Sequence, residues 1–328
     1  MALSFSDIQA AKNRITPFIN RTPVMSSTLL NSWLGHEIYF KCENFQKVGA
    51  FKARGALNTL AWLKEQGIHP KRIIANSSGN HAQAVAYAGQ QFKIPVTIYM
   101  PEYSSAVKIQ ATKNYGATVV LSKDRNVTDA LVKEAAKEEG VYWVPPFNHE
   151  QVICGQGTAV LEALEEVQGI NAVFTPCGGG GLTSGNFIAT KGFNNTIKSM
   201  GVEPLNANDA AESLRKNSIQ KLPNIPNTLA DGAMTMAVGD LTFEYLKQLD
   251  AFFEVEEEII VYWTQWLTHL LKIRLEPTCA MTMGGVVQWL QTQEKPQKVL
   301  VVITGGNMDQ NTSSKIWAKD CLSEVPKL

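Results

Sequence analysis

The sequence predicts an α/β protein whose open, mostly parallel sheets are flanked by helices, and three observations carry that reading. Short β-branched or aromatic runs alternate with stretches of helical periodicity along nearly the whole chain. The strand runs, such as Ile73-Ile74-Ala75 and Ala172-Val173-Phe174, are almost continuously apolar, as strands covered on both faces must be. Small or glycine-rich turns recur where a strand hands over to a helix.

In chain order, Ser6 to Phe18 reads as a first helix, with Ser6 as N-cap and Asp7 placed where a negative charge suits the helix dipole; residues 21–24 end it. Ile38-Tyr39-Phe40 is strand-like, and the apolar spacing from Ala53 to Leu63 is helical, so Lys52 falls near a strand-to-helix turn. Strand and helix patterns then alternate: 72–75 with 80–92, 96–100 with 105–115, 117–121 with 126–139, and a strand at 141–144 that Pro145-Pro146 stops. Gly155-Gln156-Gly157-Thr158 opens a helical run over 159–167, and strands resume at 172–176, 197–202 and 300–303. This organisation predicts a small domain at 69–148 inserted into a discontinuous large one, 1–68 with 149–328.

Four stretches carry chemistry. A lone lysine such as Lys52 is ordinarily a surface cation, but this one lies between Phe51 and Ala53, where desolvation favours the neutral amine. Asn76-Ser77-Ser78-Gly79-Asn80-His81 follows a strand and opens a helix, with small residues that let backbone amides approach a ligand. Cys177-Gly178-Gly179-Gly180-Gly181-Leu182 does the same; amides at such a helix start, with the positive end of the dipole, form a phosphate site. Thr304-Gly305-Gly306-Asn307 ends an apolar strand in a hydroxyl and two glycines.

In this order the four stretches resemble the serine/threonine dehydratase family of pyridoxal-phosphate enzymes, in the tryptophan synthase β-like group (fold type II), from about Thr16 to Trp317. The resemblance implies that Lys52 is the Schiff-base lysine and catalytic base, with Phe51 near one face of the cofactor ring and Asn80 near its phenolic oxygen. It implies Gly178, Gly179, Gly180, Gly181 and Leu182 as the phosphate cradle, Thr304 at the ring nitrogen and Glu276 close to the ring, unless Glu276 merely caps the helix that begins at Pro277. Ser77, Ser78, Gly79, Asn80 and His81 would bind the substrate. A neutral hydroxyl at the ring nitrogen makes a weaker electron sink than a carboxylate would, which favours expelling a β-hydroxyl.

The implied activity is dehydration and deamination of L-threonine or L-serine to a 2-oxo acid and ammonia. The alternative is a serine or aspartate racemase, or a 3-hydroxyaspartate dehydratase, with Lys52 and Ser78 as opposing acid/bases; against it, Ser78 would only bind the substrate carboxylate. Pro145-Pro146-Phe147-Asn148 departs from the racemase pattern toward the dehydratases. Glu203, Ala207 and Asp209 resemble the family's divalent-cation loop, oxygen ligands suited to Mg²⁺, Mn²⁺ or Ca²⁺. A homodimer is expected by analogy alone, and a nucleotide effector stays open.

A different class, a nucleotide binder built on the glycine loop, lacks both the G-x-G-x-x-G spacing and the Lys-Ser/Thr of a P-loop. Lys and Arg balance Asp and Glu at 30 each, so no net field favours nucleic acid or an anionic membrane. No run approaches the ~18 apolar residues of a spanning helix, and the start has no leader pattern, so the expectation is a cytoplasmic enzyme acting on a small amino acid. The five cysteines lack C-x-x-C spacing and read as reduced thiols.

Overall fold

The computed structural model describes residues 2–328. Its elements run α1 (Phe5–Ile15), β1 (Val24–Ser26), α2 (Thr28–Leu34), β2 (Glu37–Cys42), α3 (Lys52–Glu65), β3 (Arg72–Asn76), α4 (Asn80–Phe92), β4 (Val96–Pro101), α5 (Ala106–Asn114), β5 (Thr118–Ser122), α6 (Arg125–Ala135), β6 (Val141–Trp143) and α7 (Glu150–Glu166). There follow β7 (Ala172–Pro176), α8 (Gly181–Phe193), β8 (Lys198–Pro204), α9 (Asp209–Lys216), α10 (Asp240–Leu246), β9 (Ala251–Val255), α11 (Glu257–Leu271), α12 (Pro277–Ala280), α13 (Thr282–Leu290), β10 (Lys298–Ile303) and α14 (Gln310–Ile316).

The strands form two sheets. One has six strands in the order β1-β2-β10-β7-β8-β9, and the other four in the order β5-β4-β3-β6. Every pair is parallel except β1 with β2. The expected α/β class with parallel sheets between helices is therefore the observed one.

Strand alternation decides which helices cover which face. In β10, Val299, Val301 and Ile303 pack with Trp263, Trp266 and Met283 of α11 and α13, whereas Leu300 and Val302 pack with Ile8, Val160 and Ile188 of α1, α7 and α8. In the smaller sheet Ile73 and Ala75 face Leu57, Leu60 and Val85 of α3 and α4, and Ile74 faces Val132 of α6.

Several boundaries differ from the sequence reading: α1 ends at Ile15 and α6 at Ala135, short of 18 and 139, and two helix starts move for a visible reason. α1 is capped by Ser4, whose amide donates to Asp7 Oδ2 at 2.8 Å, so the capping pair with its three-residue spacing sets the start two residues before Ser6. α7 begins at Glu150, well before the glycines expected to open it. Those glycines lie inside the helix because neighbours cross it there: a Cβ at Gly155 would sit 2.6 Å from Arg54 O, and one at Gly157 2.4 Å from Gly185 O. They are contact points at which α3 and α8 reach backbone-to-backbone distance from α7.

Candidate active site

The carboxyl ends of parallel strands leave backbone groups and following turns pointing into a shared crevice. Here the turns after β3, β7 and β10, and the start of α3, meet around one cavity of about 320 Å³. Phe51, Lys52, Ser77 to His81, Gly178 to Leu182, Glu276 and Thr304 all line it, so residues as far apart in the chain as Phe51 and Thr304 share one wall.

Lys52 is the first residue of α3, and its segment is tied to β10: Phe51 N–H donates to Thr304 O at 3.0 Å, and Ala50 bridges Gly305. The Lys52 Nζ donates to Pro146 O at 2.6 Å and lies 5.2 Å from the centre of the Phe51 ring. Burial pulls its pKa down to about 8, partly opposed by the carboxylate of Glu276, so about a tenth of the amine is neutral at pH 7.

Glu276 is the centre of a chain of hydrogen bonds. Thr304 Oγ1 donates to its Oε1 at 3.0 Å and Asn80 Nδ2 to its Oε2 at 3.0 Å. Asn307 donates in turn to Asn80 Oδ1 at 2.9 Å and to Val48 O at 2.8 Å, which fixes the way the Asn80 amide points. Burial, with Asp231 adding to it, pushes Glu276 up to about 7 against those two donors. Glu276 stands at the N-cap position of α12, but its side chain makes no capping bond, so the simple capping alternative does not describe it.

His81 is buried, with Nε2 2.8 Å from Val144 O, which requires the proton on Nε2 and leaves Nδ1 without a partner. Burial, with Lys52 adding to it, lowers its pKa to about 3, so the ring is neutral. Ser77 Oγ accepts from Gly79 N at 3.2 Å, shaping the turn, and Ser78 is half-buried in the cavity wall.

The glycine turn is shaped by its neighbours. Gly180 has φ +89°, and a Cβ at Gly179 would lie 2.3 Å from the Phe147 ring. Thr242 Oγ1 donates to Gly179 O at 2.8 Å, holding the turn open-side outward. None of the amides of residues 178–183 donates to a turn or cap carbonyl, so they remain available at the N-terminus of α8.

The profile of the family described as pyridoxal-phosphate dependent enzymes matches residues 15–305. The chain belongs to this family. It is 40% identical over 312 residues to L-threo-3-hydroxyaspartate ammonia-lyase of Saccharomyces cerevisiae, covering 93% of this chain and 94% of that one. It is 39% identical to L-threonine ammonia-lyase of Thermotoga maritima over 99% of this chain and 81% of the other. The crystal structure of serine racemase from Dictyostelium discoideum superposes with a TM-score of 0.88 at 39% identity, covering 94% of this chain and 99% of that one.

As a pyridoxal-phosphate dependent enzyme the chain should hold that cofactor with its own groups, and the cavity fits it on two counts. The unpartnered amides of residues 178–183 suit a phosphate, and the turn that presents them leaves no room for a Cβ, which at Gly179 would strike the Phe147 ring and at Gly180 Thr242. A buried amine with a lowered pKa at Lys52 suits an aldehyde.

Glu203, Ala207 and Asp209 lie apart from the cavity, behind the glycine turn. Glu203 is the penultimate residue of β8 and accepts from Ala211 N at 2.6 Å and Ala210 N at 3.2 Å; Asp209, the first residue of α9, takes a 3.4 Å contact from Thr235 at Oδ1 and leaves Oδ2 buried without a partner. Burial pushes Asp209 up to about 7 and Glu203 well above the usual carboxylate range. Among the described residues no three His, Cys, Asp or Glu side chains cluster as a metal site, so any cation there would need the Ala207 carbonyl and water.

The sequence reading gave several residues of this site no place in it. Pro146 supplies the acceptor for Lys52, Phe147 packs under the glycine turn, and Lys108 and Arg125 line the cavity from α5 and α6. Lys108 pairs with Asp231 at 2.6 Å across the opening, and Arg125 donates to Met234 O at 2.9 Å. Only Pro146 and Phe147 had a signal, the break in pattern at 145–148; Lys108 and Arg125 look like any other surface cation until the sheets are placed.

Proposed function

We propose that this enzyme is an ammonia-lyase for L-β-hydroxy amino acids, removing the β-hydroxyl of L-threonine or L-serine and releasing a 2-oxo acid and ammonia. The observation that carries it is the shared cavity of Lys52, the glycine turn and Thr304, whose hydroxyl is held by Glu276. On this reading Lys52 bears the cofactor, residues 178–182 hold its phosphate, Phe51 lies against its ring, and Asn80, Glu276 and Thr304 set the polarity of its edge. Bound there, pyridoxal phosphate supplies an electron sink for bonds broken at the substrate Cα.

The amides of Ser78, Asn80 and His81 hold the substrate carboxylate, as the open start of α4 allows, while those of Ser77 and Gly79 donate to Tyr99 O and Ser77 Oγ and shape the turn. The Lys52 amine, neutral in part because it is buried, takes the Cα proton, and the β-hydroxyl leaves with a proton as water. Hydrolysis of the released product returns a water and yields the 2-oxo acid and ammonia. A cofactor held there would meet at its ring nitrogen the neutral Thr304 hydroxyl, whose proton goes to Glu276, and no directly paired carboxylate, which would make it a weaker electron sink and favour loss of the β-substituent.

Two observations favour neighbouring activities. Ser78 lines the same cavity as Lys52, so its hydroxyl can serve as a second acid/base that reprotonates Cα. Arg125 adds a cation to the wall beside the neutral Lys108–Asp231 pair, which suits a second carboxylate, as in 3-hydroxyaspartate. A panel of L- and D-serine, L-threonine, both L-3-hydroxyaspartates and aspartate, assayed for 2-oxo acid and for chirality, ranks them. Ser78→Ala is expected to lower racemisation at least about 100-fold while dehydration of the L-substrate stays within about fivefold. Equal losses would remove Ser78 from the racemising step.

We also read Glu203, the Ala207 carbonyl and Asp209 as a divalent-cation site, on the strength of the orphaned buried Asp209 oxygen. Mg²⁺, Mn²⁺ or Ca²⁺ is expected to raise the melting temperature by about 5 °C or more over protein in EDTA, and Asp209→Asn to erase the difference. A melting temperature indifferent to all three ions would remove the site. The two sheets support the division into 69–148 and 1–68 with 149–328. Five free cysteines suit a reducing cytoplasm, and no helix among the described residues is long and apolar enough to cross a membrane. Assembly as a homodimer and response to a nucleotide belong to the same reading by analogy, tested by light scattering and by assay with added ATP.

A further inference from the structure

A helix start is the least constrained part of a helix, because its first amides have no carbonyl four residues back. Lys52 occupies that position in α3, and Phe51 offers no side-chain cap. The turn's own bonds are modest, Ala53 N to Ala50 O at 3.4 Å and Arg54 N to Phe51 O at 2.9 Å. Two bonds tie it from the cavity side, Phe51 N to Thr304 O at 3.0 Å and Lys52 Nζ to Pro146 O at 2.6 Å, and a further anchor lies behind the helix.

Arg54 lies two residues on, about 200° around the helix, so it points into the core when Lys52 points into the cavity. Its guanidinium is wholly buried and spends every donor. Nε and Nη2 take the two oxygens of Glu43 at 2.7 and 2.8 Å, Nη1 and Nη2 take the two of Glu162 at 2.8 Å each, and Nη1 also reaches Thr158 Oγ1 at 3.1 Å. Lys41 donates to Glu162 Oε2 at 2.7 Å and to Thr22 O at 2.8 Å, and Thr22 Oγ1 donates to Glu43 Oε1 at 2.5 Å. Two cations and two carboxylates balance, and they join α3 to the end of β2 and the middle of α7.

Buried ion pairs seldom stabilise a fold more than well-packed apolar groups of the same volume would. What this arrangement supplies is direction, because a planar fork held by two forks in turn has one orientation. We propose that Arg54 is a positioning residue, whose double bidentate clamp to Glu43 and Glu162 fixes the first turn of α3 and thereby the reach of the Lys52 amine into the cavity. The proposal rests on the reading of Lys52 as the reactive amine.

Arg54→Lys keeps the charge and loses the fork. The control is Leu267→Ala, a cavity-forming change in α11 on the far face of the six-stranded sheet, which costs stability without touching α3. In cofactor-saturated protein, Arg54→Lys is expected to lower kcat at least about tenfold with KM for the amino acid within about twofold, while Leu267→Ala lowers the melting temperature as much and leaves kcat within about twofold. If Arg54→Lys fails to fold, Glu43→Gln, which keeps the shape of one clamp and removes its charge, is judged by the same ratio. A kcat within twofold of the parent, or a fall no larger than that of the control, overturns the proposal. Borohydride trapping and mass spectrometry of the parent enzyme separate the two claims: a label elsewhere than Lys52 overturns the underlying assignment and this proposal together, whereas a label at Lys52 with unchanged Arg54→Lys kinetics overturns the clamp alone.

Discussion

Lys52→Ala is expected to lower kcat/KM for the best β-hydroxy amino acid by about 10⁴-fold or more, while the protein folds with its melting temperature little changed. The side chain makes one hydrogen bond, to Pro146 O, so its loss removes chemistry rather than architecture. Burial gives the same amine a pH signature: disfavouring the charged form lets the proton leave at lower pH, with a pKa of about 8. Covalent capture of pyridoxal phosphate by cofactor-free protein should therefore quicken about fivefold between pH 7 and pH 8 as the neutral fraction rises from about a tenth to a half. Borohydride trapping followed by mass spectrometry reads both effects. A trapped adduct in Lys52→Ala, or capture that is flat from pH 7 to 9, would sink the assignment.

Gly180→Ala is expected to weaken cofactor binding about 100-fold. At φ +89° an L-residue is strained by about 1 kcal/mol, and the added Cβ would lie 2.8 Å from Thr242 Oγ1, the hydroxyl that holds Gly179. Relieving that overlap costs about 2 kcal/mol more, and the sum of about 3 kcal/mol corresponds to two decades of affinity. Equilibrium dialysis of pyridoxal phosphate against the variant measures it. Binding within about threefold of the parent would show that the turn is not the phosphate cradle.

The parts of this site legible in the sequence are those that act through the backbone. Gly178 to Gly181 announce themselves because a Cβ at any of them would crowd its neighbours, and Lys52 is found through their company. Side-chain direction was harder to read. His81 belongs to the substrate loop by position, yet its ring turns to Val144 O, so its part in binding a carboxylate falls to the backbone amide. Glu276 could be placed near the ring but not identified as the acceptor of Asn80 and Thr304, since that depends on where three distant turns meet. Asn307 stood in a noted stretch and was given no role; its task, orienting the Asn80 amide, exists only once the turns after β3 and β10 are side by side.

The fold was legible for a similar reason and misread in a similar place. Continuous apolar strands between amphipathic helices specify parallel sheets whatever their order. Gly155 and Gly157 look like a helix boundary when α7 is considered alone, because glycine is costly inside a helix. Their use is seen only with α3 and α8 in place, where a methyl group would strike a neighbouring backbone.

The order of strands in the larger sheet also bears on how the enzyme is made. β10 lies between β2 and β7, so during synthesis the first strands emerge long before the neighbour that must separate them. Until residue 303 has left the ribosome, β2 and β7 lack their common partner and Thr304 cannot meet Lys52. A nascent chain should therefore stay unable to capture its coenzyme until β10 and the turn after it have emerged.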